Sequence, residues 1–247
     1  MALVNSFEKS GNYLFRNRGH IPVILYLIVV PVIYFTPYPV LAELPYQVLT
    51  GFAIFLSVLG FIVRAISIGT TPKGTSGRNT KEQVAESLNS TGIYSTVRHP
   101  LYLGNFLMWI GIVVFTFNIY FVIIVSLAFW LYYERIMFAE ERYLERKFGD
   151  VYMKWSEGVP AFIPCFKAYK KNVVPFSMVS VLRREYSGFL ATVLSFAFVD
   201  HLRYYFTTGE FDIYRKSSYV LLGAIVITLV LRTLKHSTKL LNEEGRS

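Results

Sequence analysis

Six apolar stretches, at approximately 21–36, 47–68, 101–117, 119–135, 187–206 and 214–232, alternate along the chain with polar connections. A helix needs about 20 predominantly apolar residues to cross ~30 Å of hydrocarbon, and a helix satisfies its own backbone there. The pattern predicts an all-α, polytopic membrane protein with about six transmembrane helices. The connections carry a second signal. Lys9, Arg16 and Arg18 precede the first span, Lys73, Arg78, Lys81 and Arg98 follow the second, and a basic stretch from Arg135 to Arg184 follows the fourth. Residues 37–46 and the turn at Asn118 have no Lys or Arg, and the fifth loop has only Arg215 and Lys216. That alternation predicts both termini in the cytoplasm. It divides the chain into a cytoplasmic interfacial lead-in (1–20), a core of four spans with a cytoplasmic helix extension (21–172) and an additional two-span region (173–247).

Composition agrees. Of 247 residues 53% are hydrophobic and 17% aromatic, with a mean hydropathy of +0.42, too apolar for an ordinary soluble domain. The net charge of +9 follows the loop alternation, which argues against nucleic acid as its partner. One cysteine, Cys165, allows no intrachain disulfide and no Cys-based metal cluster. The four histidines lack metal-ligand spacing, so no metal site is expected. The first apolar stretch lacks a small-residue cleavage site and reads as a retained span rather than a cleaved leader.

Local patterns refine the picture. "TKEQ", with Thr80 and Gln83, fits a capping box and predicts a short helix in the second loop. The helical period of the fourth span continues through "YYERIMFAEERYLERKFGDVYMKWSEG" to Gly158, where "VPAFIP" stops it. At 100° per residue, Tyr133, Ile136, Met137, Leu144, Phe148 and Val151 form one apolar stripe, with Glu140 in its middle and Glu141 on its flank. A carboxylate there is costly unless paired. "NVVPFSMVSVLRREY" predicts an interfacial helix before the fifth span. Arg64 near the inner end of the second span either snorkels or joins a polar pocket, and Asp200, His201 and Arg203 read as an interfacial cluster beside Tyr204 and Tyr205.

The candidate chemistry lies at one doorstep. In "GIYSTVRHPLYLGNFLMWIG" Arg98 and His99 stand directly before Pro100, which suits the first helical position. The topology brings Arg98, His99, Glu140, Glu141 and "VPAFIP" to one membrane face. Arg98 and His99 serve there as an interfacial anchor or hold a ligand. Gly104 and Gly111 either allow close helix packing or, at Gly104, make room for a flat cofactor.

"RHPLYLG" resembles the R-H-P-x-Y-x-G pattern of the integral-membrane methyltransferases that include isoprenylcysteine carboxyl methyltransferase and the phosphatidylethanolamine N-methyltransferase group. "EERYLERKFGDVYMKW…VPAFIP" is similar to their second motif, and the likeness covers about 92–164. The resemblance implies S-adenosylmethionine as cofactor, with Arg98, His99, Tyr102, Gly104, Glu140 and Glu141 lining its site, and Arg98 and Glu140 acting in catalysis. The acceptor is expected to be a lipid or lipid-linked molecule. His99 is the one evident base, which mildly favours an oxygen nucleophile, ionised at neutral pH, over an amine. Arg142, Arg146, Lys147, Lys167, Lys170 and Lys171 would draw anionic lipid. Two competitors stand beside this reading: an NADPH-dependent sterol-type reductase, whose related R-H-P-N-Y pattern differs at Leu101, and a non-catalytic lipid-binding membrane protein, which leaves Glu140 unexplained.

Overall fold

The apolar stretches fold as helices, and the computed structural model describes residues 2–19, 21–36, 44–72, 74–75 and 83–246. Among these, eight α-helices occur and no strand: α1 (Leu3–Arg16), α2 (Ile21–Tyr34), α3 (Leu44–Gly69), α4 (Pro100–Val114), α5 (Ile119–Phe148), α6 (Asp150–Glu157), α7 (Met178–Thr208) and α8 (Lys216–Ser237).

Three of the described helices are long and apolar enough to cross a bilayer, over Tyr46–Gly69, Ile119–Phe148 and Lys216–Ser237. The first, of 24 residues, spans about 36 Å at 1.5 Å per residue. The expected first and third spans are shorter apolar helices, over Val23–Tyr34 and Pro100–Val114. The third ends early because Phe117 turns into the left-handed region at φ 56° and Asn118 then caps α5, its side chain accepting from the Phe121 N–H at 2.9 Å. The fifth is part of α7, whose Arg183, Arg184, Glu185, Asp200 and Arg203 give it a mixed character.

Three local expectations are corrected. The helix predicted to run from the fourth span to Gly158 breaks at Gly149, where φ is +52°, a conformation that favours glycine. α6 begins after this break, and Val151 is 65% exposed, off the predicted apolar stripe. The separate interfacial helix before the fifth span does not exist. Instead Ser177 caps one continuous 31-residue helix, its hydroxyl accepting from the Ser180 N–H. Thr80, Lys81 and Glu82 lie outside the described residues, as do Lys73 and Arg78, while Gln83 is not helical and donates to Asn12. The turn at 37–43 also lies outside them.

α3 and α4 pack closely because both present glycine. A Cβ on Gly60 would reach the Gly104 carbonyl at 2.5 Å, and one on Gly104 would reach the Gly60 carbonyl at 2.9 Å. The backbones therefore touch as small-residue membrane helix pairs do, and Ser57 adds a hydroxyl bond to the Met108 carbonyl. One end of the bundle is an apolar core around Ile33, Ala53, Val113, Phe115, Phe121 and Val199. The other end is polar and gathers the C-terminal ends of α3 and α5 with the N-terminal ends of α4 and α7. α1 docks there through Phe15 onto Tyr133, Ile136 and Met137. The C-terminal tail reaches the same end, where Arg246 donates to the Gly69 and Thr71 carbonyls at 3.1 and 3.2 Å. Outward faces stay apolar. Phe55, Val58 and Ile62 on α3, Ile124, Leu127 and Leu131 on α5, and Val226, Leu229 and Val230 on α8 are exposed, a surface that hydrocarbon covers at no cost.

Candidate functional site

The Arg98-His99-Pro100 corner is built by backbone pairing between two segments far apart in the sequence. A short 3₁₀ turn over Gly92–Ser95 leads into a stretch that meets "VPAFIP" side by side. Arg98 N–H donates to the Pro160 carbonyl (2.9 Å), His99 N–H to the Ala161 carbonyl (3.1 Å) and Cys165 N–H to the Thr96 carbonyl (2.8 Å). Pro100 then opens α4 at its first turn, as expected. The two segments named from the sequence thus fix one another.

α5 carries the acidic pair to this corner. His99 is buried, 6% exposed, and held on both ring nitrogens: Nε2 lies 2.8 Å from Glu141 Oε1 and Nδ1 lies 3.5 Å from Glu140 Oε2. Tyr102, one turn into α4, stacks on the imidazole at 5.6 Å between centroids, and its hydroxyl serves Glu140. Arg98 Nε stands 3.3 Å from Glu141 Oε1, close enough for charge pairing but off the line of a hydrogen bond. Burial alone would push the His99 imidazole down. The bonds to Glu140 and Glu141 outweigh it and hold the group at about 8, above its ordinary 6.5. With its value held at about 8, the imidazole is mostly protonated at neutral pH, a cation between two carboxylates. Burial and the nearby Glu141 charge push the Tyr152 hydroxyl of α6 well above its ordinary range, keeping it a neutral donor.

All of these groups except Glu141, which holds His99 from behind the wall, line a cavity of about 520 Å³, within the size range of small-molecule sites. Arg98, His99, Tyr102, Glu140, Tyr152 and Trp155 wall its polar end. Further along α4 the wall continues through Met108, Trp109 and Ile112, which make this end mainly apolar, beside Tyr26 and Ser195, whose hydroxyls pair with each other at 2.5 Å. Arg98 Nε and Trp155 Nε1 are buried without a hydrogen-bond partner in the protein, as donors awaiting a ligand's acceptors would be.

Gly104 is a different case. Its missing side chain is used by α3, since a Cβ would strike Arg64 Cγ at 2.5 Å, and it is absent from the cavity wall. Packing, not room for a flat cofactor, is what the structure asks of it, and Gly111 likewise lies against Ala53 and Ser57.

A second polar cluster on the same wall settles which of the two readings of Arg64 holds, and its partner Glu185 is the residue that sequence reasoning missed. Arg64 forms a two-pronged pair with Glu185, at 2.7 Å from both Nε and Nη2, and donates through Nη1 to Asn105 Oδ1 at 2.5 Å. Asn105 passes the network to the Tyr133 hydroxyl at 3.1 Å. Arg64 therefore joins the polar pocket and does not snorkel, and Glu185, Gly188, Thr192 and Ser195 bring α7 to the cavity wall. The additional C-terminal region is part of the site's enclosure. No local pattern marks Glu185, whose partner lies 121 positions away. The Asp200, His201 and Arg203 group forms a cluster: Asp200 accepts from Arg215 at 2.7 and 2.8 Å, His201 meets Ser218, and Arg203 lies over Phe117.

A membrane-type helical protein with this paired motif corner falls into a recognisable class. Residues 47–151 match the family described as PEMT, phospholipid methyltransferase. The chain is 31% identical over 114 residues to a protein-S-isoprenylcysteine O-methyltransferase of Schizosaccharomyces pombe, covering 44% of this chain and 48% of that one. It is 31% identical over 119 residues to protein-S-isoprenylcysteine O-methyltransferase B of Arabidopsis thaliana, covering 47% and 59% respectively. It is also 35% identical over 97 residues to the nickel-cobalt-cadmium resistance protein NccN of Alcaligenes xylosoxydans xylosoxydans, covering 39% and 43%. No solved structure matches it significantly. The chain spans about half the length of the curated relatives it matches. The likeness to the phospholipid methyltransferase family thus covers α3, α4, α5 and the start of α6.

Proposed function

We propose that the protein transfers a methyl group from S-adenosylmethionine to a lipid or lipid-linked acceptor at the cytoplasmic membrane face, with a carboxylate or phosphate oxygen as the favoured nucleophile. The observation that carries this reading is the His99 clasp opening onto a cavity with one polar and one apolar end. When bound, the donor supplies an already activated sulfonium methyl, so no residue need generate an electrophile. Glu140, on the wall of the polar end, would face the cationic part of the donor, while Trp155 Nε1 would donate to its polar atoms. Arg98 would compensate the charge of an anionic acceptor. Because His99 is held as a cation, it is unsuited to take a proton from an ammonium, which supports an acceptor that is ionised beforehand. The apolar end would admit the acceptor's hydrocarbon chain while the enclosure excludes water. Holding the two reactants in line contributes on the order of 7–11 kcal/mol. The relatives named as O-methyltransferases support the same chemistry.

The proposed topology has six crossings, α2, α3, α4, α5, α7 and α8, with the polar end of the bundle, both termini and the site in the cytoplasm. The excess of Lys and Arg at that end supports it. α4 has 15 residues and covers only about 22 Å, so the bilayer would thin around it or its flanks would complete the crossing.

Calorimetry on detergent-purified protein, titrated separately with S-adenosylhomocysteine and NADPH, tests the donor. Binding of the first alone is expected, and binding of NADPH alone would replace this reading with reduction. Labelled donor incubated with a membrane lipid extract tests the acceptor. Methyl label released as methanol by mild alkali marks a carboxyl ester; alkali-stable label that mass spectrometry places on phosphate would keep the oxygen preference, and label placed on nitrogen would overturn it.

A further inference from the structure

Next to the apolar end of the cavity lies a second, smaller void of about 30 Å³, walled by Leu25, Val29, Val113, Phe121, Phe198 and Val199. The two spaces share four wall residues, Tyr26, Trp109, Ile112 and Ser195. Chain order shows how they are arranged. On α4 the wall of the main cavity runs from Pro100 to Ile112, and that of the smaller void from Trp109 to Val113. On α7 it runs from Arg184 to Ser195 and then from Ser195 to Val199. The void therefore continues the cavity away from the polar end, which Phe15 of α1 borders. The four shared residues form the partition.

A hydrogen bond closes that partition. The Ser195 hydroxyl donates its one proton to the Ala191 carbonyl at 2.7 Å. The Tyr26 hydroxyl, 2.5 Å from Ser195 Oγ, is therefore the donor between the two. The Tyr26 ring also meets the Phe198 ring edge-on, at 5.5 Å between centroids. α2 and α7 thus lay a phenol across the end of a mainly apolar passage, and both helices lie outside residues 47–151, the region shared with the family. Swinging Tyr26 aside would strand its hydroxyl among apolar side chains, and that cost keeps the partition shut. From Glu185 to Ser195 α7 rises about 15 Å, the depth open to a chain before it meets the ring.

We infer that the Tyr26–Ser195 pair is the floor of the acceptor site and sets the longest hydrocarbon chain that the protein takes. The occupant is a single chain lying between α4 and α7, its reacting head at the Arg98–His99 corner and its far end against Tyr26 and Trp109. The inference rests on the reading of the apolar end as the place of the acceptor's hydrocarbon.

The test measures binding of S-alkyl-N-acetylcysteines, a carboxylate head on a chain lengthened stepwise from octyl to eicosyl, to detergent-purified protein. For the unaltered protein, affinity is expected to rise about fourfold with each methylene added inside the cavity, and to stop rising at one length. Tyr26→Ala removes the ring and should move that limit to longer chains while leaving octyl binding nearly unchanged. Tyr26→Phe keeps the ring but frees it from Ser195, so chains just past the limit should regain part of the lost affinity. Tyr34→Ala, at the exposed end of the same helix, should leave the limit where it was. A retained melting transition shows that a variant is folded; where Tyr26→Ala lacks one, Tyr26→Phe carries the test. An unmoved limit in the folded Tyr26 variants, a loss shared equally by all lengths in them, or no limit in the unaltered protein would each overturn the inference and leave the acceptor reading standing. If the unaltered protein binds no member of the series, the acceptor reading falls and the floor with it.

Discussion

His99 shows how one residue's environment decides its chemistry. In isolation an imidazole titrates near neutrality and serves as a base; between Glu140 and Glu141 it is held charged, at about 8 against an ordinary 6.5. A raised histidine value stabilises the fold fully below the unfolded value, and the contribution is lost as pH climbs through the folded one. The clasp should therefore contribute ~2 kcal/mol below pH 6.5, declining through about pH 8. Thermal unfolding in detergent across pH 6 to 9 should show this slope, and Glu140→Gln should flatten it while lowering affinity for S-adenosylhomocysteine. An unchanged slope in that variant would mean Glu141 alone sets the charge of His99. Glu185 is a harsher case, because Glu185→Ala strands the Arg64 guanidinium. Breaking a buried pair from one side costs about 3–5 kcal/mol, and Arg64→Met combined with Glu185→Leu should restore much of the lost melting temperature. The His99 corner was legible because its partners lie in two motifs. Glu185 was not, since only the packing of α3 against α7 reveals what it faces.

At the scale of the element, two glycines that look alike in sequence have different jobs. Gly104 is filled by its neighbour, so Gly104→Ala forces α3 and α4 apart and should lower stability before it touches activity. Gly188 on α7 has open space where a side chain would go, the nearest atom being Glu185 Oε2 at 3.6 Å, on the wall of the cavity. Gly188→Leu should fold and should shift the acceptor preference toward shorter hydrocarbon chains, read from product profiles with a chain-length series; an unaltered profile would place the acceptor chain elsewhere. Gly149 matters for its backbone alone. Its φ of +52° with ψ −129° lies outside the left-handed helical well and costs a non-glycine residue about 1–3 kcal/mol, so Gly149→Ala should loosen α6 and with it Tyr152 and Trp155. The periodic pattern continued straight through this residue because periodicity records which faces are apolar and is blind to a single change in backbone hand.

The whole molecule is held at its polar end by long-range contacts. Arg246 donates to backbone carbonyls at the end of α3 and at Pro175, and Glu243 meets the Ser177 hydroxyl that caps α7. Arg246→Ala should raise amide exchange around Gly69 and Ser177, where the Ser177 N–H donates to the Gly69 carbonyl at 2.8 Å, without altering exchange in the apolar core. The sequence by itself determined the helical class, the membrane-quality apolar segments and the meeting of Arg98, His99, Glu140 and Glu141 at one face. Each follows from short-range periodicity, from the placement of charge or from two linked motifs. Only the tertiary structure decided that α7 and α1 enclose the cavity, that Arg64 turns inward to Glu185 and that Gly104 belongs to a helix contact. Those outcomes depend on which side chains distant segments present to one another once packed, a property that no local pattern encodes.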